Sequence, residues 1–371
     1  MNRSALILLP ALLALTACGP RPHEAATVAE ADTLALQYAT LFSVRRLPDG
    51  THLVDVGEDA HFALVERGHA SSGGIPEGYT TVEVPIRRTL CMTALQLSYF
   101  TALDAHDVVR GLTGTKNLYD ADILQRVSDG RIVTIGMEGN FDAELVLAAN
   151  PDVIFISPFK RGGYEAIKET GITLVPHLGY KELHPLGQAE WLKFIGLFIG
   201  KEAEAAALFD RLAADYTRLA QRTAGVAERP TVLSGEMHGS NWYAVGGRSA
   251  LAQLFADAGA DYVLKDNEDT GGVNLQYETL FARAAQADYW RILNSFNGTF
   301  SYEALRTSNP RNADFKAWRE RRVIYCNMRR TPYYETAPVQ PHILLKDLVA
   351  IFHPELVEAD YIPTYYHLLR E

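Results

Sequence analysis

The sequence predicts an α/β protein of two lobes, each a parallel sheet flanked by helices, joined by one long helix and preceded by a small β-rich piece. Three observations carry this prediction. From Arg88 onward, short apolar runs alternate with helix-forming stretches, the pattern of parallel βαβ units. A second series of the same kind begins at "PTVLSGEMH". Between the two, Lys201 to Arg222 holds neither Gly nor Pro and is rich in Ala, Leu, Glu and Arg, which favour helix. The predicted boundaries are 36–84 for the β-rich extension, 85–200 for the first lobe, 201–224 for the connecting helix and 225–371 for the second lobe with its terminal helices.

The chain has 371 residues, enough for two domains with cores of their own. Its formal charge of -10 argues against a nucleic-acid partner. The N-terminus "MNRSALILLPALLALTACGP" has Arg3 ahead of an apolar run too short to span a bilayer, which fits a secretory signal peptide over 1–17. It ends in "LTAC", small residues before Cys18, and resembles the lipobox of bacterial lipoproteins. That resemblance implies a leader removed before Cys18, a lipid on Cys18, and a polar tether over 18–35. Cys91 and Cys326 lie in apolar runs and read as buried free thiols. No second long apolar segment follows, so the membrane association expected is an anchor rather than a span.

In the extension, "YATLFSVRRLPDGTHLVDVG" reads as a hairpin turning at Pro48-Asp49-Gly50, and "GYTTVEVPI" as a further strand. The first lobe opens with the strand "TLCMTAL" and the helix "SYFTALDAH", then the strand "VVRGLTG" and the helix "ADILQRVSD". The helix "ELVLAAN" stops at Asn150-Pro151 and leads into the strand "PDVIFIS", followed by the helix "GYEAIKETG" and the strand "ITLVPH". In the connecting helix Leu208, Leu212, Tyr216 and Leu219 recur at helical spacing, bounded by Gly200 and Gly225. At 1.5 Å per residue it would run roughly 33 Å. The second lobe continues through "SALAQLFADAGADYV", "ETLFARAAQADYWRIL" and "RVIYCNM" to helices around "PHILLKDLVAIF", with "VGGRS" as a turn before a helix.

Two helices, one per lobe, carry a glutamate near the start: Glu144 ahead of "PDVIFIS" and Glu278 in "LQYETLFARAAQADYWRIL". Taken singly, each reads as a solvated carboxylate favoured by the helix dipole. Lipobox, lobe, single long helix and second lobe together resemble the helical-backbone periplasmic binding proteins of bacterial ABC importers, in the branch that takes iron-siderophores and vitamin B12. The resemblance covers roughly residues 85 to 355 and leaves the extension unassigned. It implies two Rossmann-like α/β lobes, no enzymatic activity, no cofactor, and a monomer held by its lipid at the cell envelope, facing the periplasm. It further implies an ABC permease with its ATPase as partner, with Glu144 and Glu278 docking onto arginines of the two permease subunits. Two carboxylates at a fixed separation can engage two arginines at once, and bidentate pairing adds geometric specificity.

Ligands in open α/β sheets gather beyond the carboxyl ends of the strands. The candidates are therefore Lys116 with Thr113 and Thr115; Phe159, Lys160 and Arg161; and His177. In the second lobe they are Glu236, Met237 and His238, then Trp242 and Tyr243, then Asn294 and Phe296, and finally Met328, Arg329, Arg330, Tyr333 and Tyr334. Aromatic faces suit a bulky planar ligand and cations suit a negative one, so the set points to an iron(III)-siderophore or similar iron chelate. Each cation taken alone reads equally as a solvated loop charge. Cobalamin is the rival ligand: B12 binders of the family present tryptophans near the cleft, where this sequence has Glu138, Ser157 and Gly272. Haem is a further alternative, with His or Tyr on iron. Direct metal binding through His177, His238 and Glu236 lacks an HxxxH spacing. A hydrolase would need a nucleophile elbow, and neither G-x-S-x-G nor a phosphate loop occurs. A surface lipoprotein without any cleft ligand is the third class of reading.

Overall fold

The computed structural model describes residues 32–69, 74–116, 118–137, 140–158 and 164–370. Two α/β lobes are joined by one long helix, and a five-stranded sheet precedes them. The signal segment, Cys18, Glu138 and the candidates Phe159, Lys160 and Arg161 lie outside the described residues.

The N-terminal sheet runs Asp32–Thr33, Phe42–Arg46, His52–Val56, Ala60–Glu66 and Thr80–Val84 in chain order, antiparallel except for the last pair. Alternation places Phe42, Val44, Val54, Phe62 and Val82 on the face that joins the main core. The segment before its second strand is gripped by two carboxylates of the first lobe. Glu190 accepts from the backbone amides of Gln37, Tyr38 and Ala39, and Glu182 from those of Thr40 and Leu41. Both carboxylates are buried, and Glu190 is also paired with Lys193 at 2.7 Å.

The first-lobe sheet has the order Leu174–Pro176, Val153–Ile156, Thr89–Cys91, Val109–Leu112, Val133–Thr134, all parallel. Its first helix, Ala94–Ala102, starts earlier than the sequence suggests because Thr93 and Gln96 form a capping box. The longest helix that the sequence pattern does not predict lies in this lobe. Pro185–Ile199 is buried along nearly its whole length, so it shows no apolar stripe against a polar face.

Gly200, at φ 68°, ends that helix, and the chain turns straight into the connecting helix Glu202–Thr223. Phe209, Leu212, Ala213 and Tyr216 form its buried face; the stripe centres on Phe209 rather than Leu208. This face packs on Pro185–Ile199 of the first lobe and on Pro341–Phe352 of the second, so one helix is shared by both lobes. Each fully buried Leu or Phe there contributes about 1.5–3 kcal/mol.

The second-lobe sheet has the order Asp261–Tyr262, Thr231–Ser234, Tyr289–Asn294, Val323–Asn327, His367–Leu368, parallel but for the last strand. A separate antiparallel sheet, Glu236–His238, Asn241–Val245 and Gly272–Gln276, projects from it. The alternation of strands and helices in the sequence does not predict this small sheet, so its pairings are an addition.

Candidate functional site

A cavity of about 420 Å³ lies between the lobes. Leu95, Tyr180 and Gln188 line it from the first lobe. Glu236, Tyr243, Arg291, Tyr333 and Tyr334 face it from the second. A larger groove of about 850 Å³ sits at the far end of the second lobe, between the stretches 222–230 and 352–356. Its Arg229 is spent on Asp261 and its His353 on the Gly259 carbonyl, and it holds none of the candidate residues.

The three-stranded sheet explains the aromatic wall. In Asn241–Val245 the side chains alternate, so Trp242 and Ala244 are buried while Tyr243 is half-exposed in the cavity. Trp242 is therefore a core residue rather than a ligand contact. It packs against Trp290 and Phe315, and its indole donates to the Ser234 carbonyl at 3.0 Å. Gly272 lets this wall form, because a Cβ there would come within 2.2 Å of the Tyr243 hydroxyl. Tyr243 and Tyr334 make no phenol hydrogen bond among the described residues, and both line the cavity.

The charge at the centre is Arg291, which the sequence reading passed over as part of an apolar strand. It is 7% exposed and lines the cavity. Its Nε and Nη2 donate to the Tyr366 hydroxyl at 3.2 and 2.6 Å, and Nη2 also to Tyr333 at 3.5 Å. Among the described residues no carboxylate pairs with it, and Nη1 makes no hydrogen bond. Burial works against its charge, but the Tyr366 and Tyr333 oxygens more than offset this and hold the guanidinium above its usual range. Glu236, on the same wall, accepts from the Asn294 amide at 3.0 and 3.2 Å. Burial pushes its carboxyl up, while Asn294 and the Arg291 charge pull the other way.

The remaining candidates are scattered. His177 continues the strand Leu174–Pro176 inward, where its ring packs between Tyr99 and Trp191 at 4.9 and 4.5 Å. It is fully buried, and burial drives its pKa to about 3, so it belongs to the core and not to the cleft. Lys116, Arg329 and Arg330 are exposed outside the cavity lining, and Arg329 donates to the Ser295 carbonyl. Asn294 braces Glu236 and Tyr325, and Phe296 packs on Phe300. Glu236, His238, Tyr243, Tyr333 and Tyr334 are the sequence candidates that the fold does bring to the cavity. Among the described residues no three His, Cys, Asp or Glu converge on a metal position.

Glu144 and Glu278 stand exposed in the first turns of Ala143–Ala148 and Tyr277–Ala284, one on each lobe. Their surroundings differ. The Glu144 carboxylate has no partner among the described residues, and Leu147 beside it is 53% exposed. Glu278 is paired with Arg311 at 3.1 Å, whose guanidinium lies over the Tyr277 ring at 3.6 Å.

The family model described as periplasmic binding protein matches residues 92–329, more than half of the chain. An uncharacterised lipoprotein of Methanocaldococcus jannaschii is 28% identical over 294 residues, covering 75% of this chain and 68% of the relative. A periplasmic heme binding protein from Pseudomonas aeruginosa has a similar fold, with a TM-score of 0.58 at 19% identity over 72% of this chain and 93% of that one. So has a protein titled as an ABC-type Fe3+-hydroxamate transport system from Saccharomonospora viridis, with a TM-score of 0.55 at 16% identity over 72% and 94%.

Proposed function

Because the chain belongs to the periplasmic binding protein family, we propose that it captures a negatively charged iron(III) chelate, such as a ferric siderophore, in the interlobe cavity and delivers it to the permease of an ABC importer. Arg291 carries the reading. Arg291 is a buried cation with no salt bridge to a carboxylate among the described residues, and it lines a cavity walled by tyrosines, which suits a negatively charged ligand. The relatives titled for Fe3+-hydroxamate and for heme support a bulky iron ligand of this kind. Haem is the second reading, favoured by the two unbonded phenols of Tyr243 and Tyr334, since a tyrosine oxygen can ligate haem iron.

Tryptophan-fluorescence titration of the parent with a ferric hydroxamate, a ferric catecholate, haemin and cyanocobalamin tests the assignment. A ferric siderophore should quench saturably, and Arg291→Gln should weaken it about 10- to 100-fold, the loss of one or more charge-assisted hydrogen bonds. Saturable quenching by cyanocobalamin alone, or equal affinity in Arg291→Gln, overturns the chelate reading. Haemin binding with a Soret shift lost in Tyr243→Phe or Tyr334→Phe selects haem.

Glu144 and Glu278 are proposed as the permease contacts. The double variant Glu144→Ala, Glu278→Ala should keep ligand affinity and lose uptake, because truncating one partner of a charge pair buried at an interface costs about 2–5 kcal/mol. Uptake equal to the parent would remove the docking assignment. Lipidation at Cys18 is the proposed anchor: a lipoprotein stands among the relatives, and no described helix is long and apolar enough to cross a membrane. Labelling with a radioactive fatty acid should mark the parent and leave Cys18→Ser unlabelled.

A further inference from the structure

We infer that Glu335 is a cross-lobe clasp, a positioning residue that sets the two walls of the cavity against each other and ties that setting to the cavity's cation. Glu335 belongs to the second lobe, in the short helix Tyr333–Thr336. Its carboxylate nevertheless serves the first lobe, accepting the backbone amides of Tyr119 at 2.7 Å and Asp120 at 3.0 Å. It is 2% exposed, and among the described residues no cation pairs with it. Both of its bonds are thus spent across the lobe boundary.

The receiving end is built for a carboxylate. Tyr119 and Asp120 lead into the helix Ala121–Ser128, whose own cap is Asp120, accepting from the Ile123 amide. The positive end of that helix favours a second negative group. The Tyr119 phenol adds another crossing, donating to the Met328 carbonyl at 3.2 Å. The helix Ala94–Ala102 rests on the same turn, so the turn cannot shift without disturbing the first lobe.

The turn that carries the clasp also faces the cavity. Tyr333 and Tyr334 line it. The Tyr333 and Tyr366 hydroxyls share a hydrogen bond at 2.9 Å, and Tyr366 accepts from Arg291 at 2.6 Å. Hydrogen bonds therefore run from Arg291 through Tyr366 to the Tyr333 hydroxyl, and the backbone of the short helix Tyr333–Thr336 joins Tyr333 to Glu335, which holds Tyr119 and Asp120. An anion on Arg291 competes for the hydrogen bonds that anchor this turn, and the clasp transmits the change to the opposite wall. The clasp rests on geometry alone; only its link to a bound anion rests on the proposed function.

Hydrogen exchange on the ligand-free protein tests it, so failure of the ligand reading does not affect the outcome. In the parent, the Tyr119 and Asp120 amides should be protected. Glu335→Ala should speed their exchange by roughly tenfold or more, and Glu335→Gln, with one carbonyl acceptor left, by less. Exchange in the helix Glu202–Thr223 should stay unchanged, which shows that the variants are folded. Tyr333→Phe, which touches neither amide, should also speed exchange at 119–120. Equal exchange at these amides in parent and Glu335→Ala overturns the clasp. An unchanged rate in Tyr333→Phe overturns the path to the cavity.

Discussion

His177 shows how a single side chain sets a pH dependence. Both of its ring nitrogens are buried without a hydrogen-bond partner in an aromatic nest of Tyr99, Trp191 and Phe194. Burial takes its pKa from 6.5 to about 3. The unfolded chain then takes up the proton first on acidification, so stability is full above about pH 6.5 and falls as pH drops toward 3. At pH 4.5 this one group removes about 2–3 kcal/mol. His177→Leu should flatten the change in urea stability between pH 7 and pH 4.5 by about 2 kcal/mol. The same slope in parent and variant would assign the acid sensitivity elsewhere. The same residue marks what the sequence conceals. Position after a strand singled out His177, Trp242 and Tyr243 alike, but the pleat turns Tyr243 to the cavity and Trp242 to the core. Arg291 carried a readable signal that position alone misses: a guanidinium inside the apolar strand "YWRILN" has to be buried with a purpose.

At the scale of elements, alternation and end signals were legible, and uniform burial was not. The connecting helix was readable because Gly200 closes the preceding stretch and one face is apolar. The helix Pro185–Ile199 was not, since a helix covered on all sides has no polar face to set its period. That hidden helix is what attaches the N-terminal sheet. Its Glu190 holds three backbone amides and Lys193 at once, and Glu182, just before the helix, adds Thr40, Leu41 and the Trp191 indole. Glu190→Ala strands a buried lysine and three amides, which should cost roughly 3–5 kcal/mol. Limited proteolysis should then cut within 36–41 while the lobes stay intact. Resistance equal to the parent would show that packing of the sheet, rather than the carboxylate, holds the segment.

At the scale of the whole molecule, the question is how far the lobes can move. The connecting helix contains no Pro or Gly between Glu202 and Thr223, and sharp helix bends need such a feature or a bulge. Two further links lie beside it. Pro185–Ile199 packs on Ala250–Asp257 and Pro341–Phe352 of the second lobe, and Ala94–Ala102 packs on Tyr333–Val339. Hinge bending would have to break these packed surfaces together with the Glu335 bonds to Tyr119 and Asp120. A partner reading Glu144 and Glu278 would then meet two carboxylates at nearly constant spacing, and would sense occupancy through local changes around the cavity. Spin labels at Ala143 and Thr279, next to the two glutamates, test this by distance measurement with and without a saturating ferric siderophore. The separation should change by no more than ~1 Å, as in preorganised binders. A closure of about 10 Å or more is the scale of a true hinge and would rule out a rigid connecting helix, because no packed interface of this kind survives such a displacement.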